Sequence, residues 1–212
     1  MKTKSIIVIA LAAILAACQP KDTWTLSGLD QTNFISEVEG QPTELVVLKN
    51  KQGMEACITN YGGRLVSLMV PDRQGKLADV VTGFPTIGEY VSQNQNFGST
   101  VGRYIGRISG PSFVIDSVEY QLQGYGKAAH ISHGGKPGFA NRVWNIEKVT
   151  DNMVLLSYLS PDGESGFPGN LQVYLTYSLT DDNALDLRYE ATTAAPPVIN
   201  PSHHSFFNAS GN

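Results

Sequence analysis

Leu171-Gln172-Val173-Tyr174-Leu175-Thr176-Tyr177-Ser178-Leu179 sets an apolar or aromatic side chain at every odd position and a mostly polar one at every even position. Successive side chains on an extended strand leave opposite faces, so this alternation predicts a strand with one side buried. Asp181-Asp182-Asn183 follows with turn chemistry, and Leu185, Leu187 and Tyr189 then alternate with Asp186, Arg188 and Glu190. The two runs and their turn predict a β-hairpin resting on a core.

Similar runs at residues 44–49, 54–59, 64–70, 112–115, 119–123, 144–149 and 153–160 predict further strands, separated by Gly, Pro, Asp and Asn. Past residue 18, helical periodicity is confined to about one turn near residues 87–91. Many short strands with regular punctuation define an all-β chain, and an antiparallel β-sandwich is preferred to a barrel. The 21 glycines and 11 prolines suit a fold with many tight turns. With 42% hydrophobic and 16% charged residues, the composition is that of a globular core and excludes a disordered chain.

The first residues differ. Lys2 and Lys4 precede an apolar run from Ile6 to Ala17, shorter than the ~20 residues a membrane-spanning helix needs, which reads as a secretory signal. The run ends Leu15-Ala16-Ala17-Cys18, which resembles the lipobox of bacterial lipoproteins. That resemblance implies cleavage after residue 17 and a lipid on Cys18, and Gln19 in place of Asp points to the outer membrane. The expected location is the bacterial cell envelope, lipid-anchored and facing the periplasm. The expected organisation is a signal over residues 1–17, a polar tether over 18–30 and one domain over 31–212.

The formal charge is −4 and becomes more negative once Lys2 and Lys4 are removed. No basic stripe is available to neutralise phosphates, which argues against a nucleic-acid partner. With Cys18 lipidated, Cys57 is the only other thiol and an internal disulfide is impossible; its apolar neighbours predict a buried, inert group.

A series of short motifs then runs from residue 44 to residue 211: Asn60-Tyr61-Gly62-Gly63-Arg64-Leu65, Val70-Pro71-Asp72-Arg73, Gly102-Arg103-Tyr104, Arg107-Ile108, His133-Gly134-Gly135, Ser160-Pro161-Asp162-Gly163-Glu164, Pro168-Gly169-Asn170 and His204-Ser205-Phe206-Phe207-Asn208. In this order they resemble the aldose 1-epimerase, or galactose mutarotase, family. The resemblance implies a large β-sandwich that binds a free hexose and interconverts its α and β anomers by acid–base ring opening, with no cofactor and no metal. It puts the acid on His204 and a hydrogen-bonding, charge-supporting role on His133. It further implies sugar contacts from Arg107, Ser205 and Phe206. Histidine suits the acid role because its ordinary pKa of ~6.5 lets it give and regain a proton near neutrality.

Other readings come from the residues themselves. His203 and His204 are consecutive, so on a strand they face opposite ways and do not share a metal. Phe206 and Phe207 are expected to split between site and core for the same reason. Gly134 and Gly135 are expected to allow close backbone approach beside His133. Residues 160–170, rich in Gly, Pro and acids, read as a solvated turn. Where the family has Asn-Arg-Ile the chain has Gly106-Arg107-Ile108, which removes an amide from the sugar's reach. The family's base, a glutamate, and a sugar-binding aspartate lie downstream of the segment matching residues 204–208. The chain is therefore expected to be a C-terminally truncated form with impaired turnover. The alternative is a non-catalytic carbohydrate-binding lipoprotein.

Overall fold

The computed structural model of the protein describes residues 23–123, 130–196 and 198–211. The expected signal over 1–17 and the lipidated Cys18 lie outside the described residues. A short hairpin of β1 (Ser36–Val38) and β2 (Gln41–Thr43) leads into β3 (Leu45–Lys49), β4 (Glu55–Thr59), β5 (Arg64–Pro71) and β6 (Leu77–Asp79). The last four form an antiparallel sheet in sequence order.

One helix, α1 (Ile87–Gln93), follows. Thr86 caps it by accepting from the Glu89 amide, Glu89 accepts from the Thr86 hydroxyl in return, and left-handed Asn94 ends it. The cap satisfies one amide, that of Glu89, which the helix cannot satisfy internally, and the return bond holds the capping hydroxyl in place. It extends the expected single turn to seven residues.

The short strands β7 (Thr100–Val101), β8 (Arg107–Ser109), β9 (Ser112–Ile115), β10 (Val118–Gln121) and β11 (His130–Ser132) come next. The second four-stranded antiparallel sheet is β12 (Asn145–Val149), β13 (Met153–Ser160), β14 (Leu171–Leu179) and β15 (Leu185–Thr193), again in sequence order. Finally β16 (Ser202–His203) returns to pair with β7, His203 opposite Thr100.

The predicted hairpin is β14 with β15, and every odd residue of β14 from Leu171 to Leu179 is buried. Those side chains meet Val154 and Leu156 of β13 and Val46, Leu48, Ala56, Ile58, Leu65 and Leu68 of the first sheet in one continuous core. Two antiparallel sheets sharing one core are the expected β-sandwich. Cys57 is fully buried, and burial pushes its thiol up to about 12, which makes it inert.

The N-terminal side differs from the expected tether. From Thr23 the chain is already bound to the body: Trp24 bridges Asp30, Thr25 is buried, and the Leu26 amide donates to Glu55 Oε1 at 2.6 Å.

Candidate active site

His133 follows β11, whose partner β8 sets Arg107 directly opposite Ser132. Its backbone is left-handed at φ 53°, followed by Gly134 at φ 83°. A Cβ on Gly134 would run into the Gly102 carbonyl, so the close approach expected of the glycines is required here. The His133 amide donates to Gly106 O at 2.8 Å, and the Gly106 amide donates to His133 Nδ1 at 3.3 Å. With Nδ1 occupied as an acceptor, the neutral ring carries its proton on Nε2, which becomes a donor. Burial, then the charges of His204 and Arg107, hold the His133 pKa below its ordinary value.

His204 arrives from the other end of the chain. The strand pair β7–β16 fixes it, with the His204 amide donating to Ser99 O at 2.8 Å and the Gly98 amide donating to His204 O at 3.1 Å. Its ring meets that of His133 edge to face, with centroids 5.0 Å apart at 89°. Phe206 lies 5.2 Å from His204 and 5.1 Å from Phe97, which extends an aromatic wall beside the imidazoles.

His203 turns the other way. Its ring sits 5.8 Å from Tyr177 of the core sheet, and burial drives its pKa down to about 4. It is neutral near pH 7 and cannot be the proton donor. The two histidines face different surroundings, as alternation leads one to expect.

A family model described as aldose 1-epimerase matches residues 44–212. The chain belongs to the aldose 1-epimerase family. It is 34% identical over 173 residues to the aldose 1-epimerase of Escherichia coli K12, covering 82% of this chain and 50% of that protein. It is 38% identical over 154 residues to the galactose mutarotase of Sus scrofa, covering 73% and 44%. Among solved structures, an aldose epimerase homologue from C. elegans superposes with a TM-score of 0.76 at 30% identity, covering 80% of this chain and 52% of that one. Galactose 1-epimerase from Lactobacillus acidophilus gives 0.72 at 25% identity, covering 82% and 51%. The chain spans about half the length of the relatives it matches.

Of the residues picked out from the epimerase-family motifs, the structure brings His133, His204 and Phe206 together and sets Arg107 beside them. Arg107 is exposed, and its Nε donates to His130 Nε2 at 3.0 Å. Ser205, expected on the same wall, instead faces His203, with Oγ 3.5 Å from Nε2. Neither Phe206 nor Phe207 enters the core; Phe207 is 63% exposed, contrary to the expected split.

Residues 160–170 are far from a solvated turn. Glu164 accepts from Tyr158 Oη at 2.7 Å, from Arg142 Nε at 3.0 Å and from the Ser160 hydroxyl. Buried Arg103 donates to Ser160 Oγ and to the carbonyls of Ser160, Pro161 and Pro168. Ser165 in turn donates to Lys136 O at 3.2 Å, and Gly135 packs on its Cβ. The loop thus buttresses the His133 turn from behind. Its composition carries no sign of this, because the partners come from distant segments.

Proposed function

We propose that this chain carries the proton-donating half of an aldose 1-epimerase site acting on a free hexose such as galactose or glucose. The meeting of His133 and His204, brought edge to face from separate segments, is the observation that supports it. His204 as an imidazolium gives its proton to the ring oxygen while the C1 hydroxyl gives its proton to a base. The bond from C1 to the ring oxygen breaks, leaving a free aldehyde. Rotation about C1–C2 and closure on either face then yields either anomer. His133, neutral and with Nε2–H as donor, binds a sugar oxygen. The guanidinium of Arg107 offers fixed donors to hydroxyls, and Phe206 offers an apolar face to the pyranose C–H groups.

A second reading is a non-catalytic carbohydrate-binding lipoprotein that uses the same Arg107 and Phe206 surface, both exposed. The same proposal includes the anchor: signal removal after residue 17, lipid on Cys18, and display at the bacterial cell envelope.

Polarimetry on freshly dissolved α-D-galactose and α-D-glucose tests the catalytic reading. Catalysed mutarotation that falls roughly 10²–10⁴-fold in His204→Asn, the usual worth of one acid–base group, supports it. A galactose-dependent rise in Tm without rate enhancement favours the binding reading. Absence of both removes the two together.

A further inference from the structure

Trp24 and Leu26 are 61% and 50% exposed, while Thr25 between them is buried. The segment is nevertheless fixed. The Thr25 amide donates to Leu29 O at 3.0 Å, the Leu26 amide is held by Glu55, and the Ser27 hydroxyl lies 2.9 Å from that of Ser67. Trp24 lines a shallow groove together with Val149, itself 49% exposed, and with Gln31, Glu44 and Lys49, whose ammonium pairs with Glu55 at 3.2 Å. The indole, Leu and Val side chains are thus exposed beside a polar margin.

What covers these side chains follows from their distance along the chain from Cys18. Trp24 stands six positions after Cys18. A fully extended chain spans at most ~3.5 Å per residue, so a lipid on Cys18 keeps Trp24 within about 21 Å of the bilayer. Only seven residues separate Cys18 from Leu26, whose amide is held by Glu55. Tryptophan rings favour the depth of lipid headgroups. We infer that Trp24, Leu26 and Val149 form a membrane contact, which seats the domain on the bilayer that holds its own lipid. This rests on the anchor proposed above.

The test uses the full protein purified from bacterial membranes and reconstituted in vesicles of phosphatidylethanolamine with a minority of phosphatidylglycerol, part of it brominated near the headgroup. The chain has two tryptophans, and Trp144 is fully buried, so Trp24 reports alone. Its emission is expected to shift to the blue, to lose most of its intensity to the brominated lipid, and to be shielded from aqueous acrylamide. Trp24→Phe, a change at an exposed site, abolishes all three effects. Mass spectrometry of the same sample reads the lipid on Cys18. A lipidated protein whose Trp24 remains open to acrylamide and untouched by brominated lipid overturns the membrane contact alone, including in favour of a protein partner. An unlipidated Cys18 overturns the anchor and the contact with it.

Discussion

At the scale of single residues, the two adjacent histidines show how one strand position decides between chemistry and structure. His203 carries a pKa of about 4 against an ordinary 6.5 because folding buries it. Its depressed value means that the unfolded chain binds the proton more tightly. The contribution to stability is therefore complete above pH 6.5 and is lost as pH falls toward 4. By linkage the loss is on the order of 3 kcal/mol. His203→Asn removes the titrating group, so urea midpoints measured from pH 7 down to pH 4 should fall less steeply than in the parent. An identical slope would show that His203 is not desolvated. The opposite facing of His203 and His204 was legible in the sequence, since period-two alternation needs no partner to be known. The tautomer of His133 was not, because it depends on the amide of Gly106, 27 positions away.

Among elements, length decides legibility. β13 and β14, of eight and nine residues, give several cycles of alternation and were placed to the residue. β7, β8, β11 and β16 have two or three residues each, too few for any period, and they are the strands that position His133 and His204. The two histidines are thus held by elements that pattern alone cannot find; motif resemblance singles them out instead. The loop around Glu164 is the other element misjudged, and Arg103 is the test of its role. Arg103→Met keeps the length of the side chain but leaves the carbonyls of Ser160, Pro161 and Pro168 without that donor. One unsatisfied buried polar group costs about 1–3 kcal/mol, so a total of about 3 kcal/mol or more is expected. In a chain of this size that lowers Tm by roughly 6–12 °C. Calorimetry reads the loss, and a shift below about 2 °C would show that the loop does not depend on Arg103.

For the whole molecule, the question is how a site at one end of the chain is tied to a core made from both sheets. Tyr177 makes the connection. It projects from the C-terminal half of β14, fully buried, and its hydroxyl donates to Gly63 O at 2.7 Å, in the turn between β4 and β5 of the other sheet. Its ring also faces His203 at 5.8 Å, so the same side chain touches both sheets and the segment that carries His204. Burial raises its pKa well above the ordinary value, so the phenol stays protonated and remains a donor near neutral pH. Tyr177→Phe separates the two contributions, since it keeps the ring against His203 and removes only the hydroxyl. Gly63 O then retains a long contact from the Thr100 hydroxyl at 3.4 Å, which puts the expected loss near 1 kcal/mol, at the lower end of the range for an orphaned buried group. Tyr177→Leu loses the ring as well and should cost about 3 kcal/mol or more, as truncations of buried aromatic side chains do. Urea unfolding of both variants distinguishes the terms. If Tyr177→Phe matches Tyr177→Leu, the hydrogen bond across the sheets dominates. If Tyr177→Phe is silent, the sheets are joined by packing alone, and the ring beneath His203 is what holds the histidine segment in place.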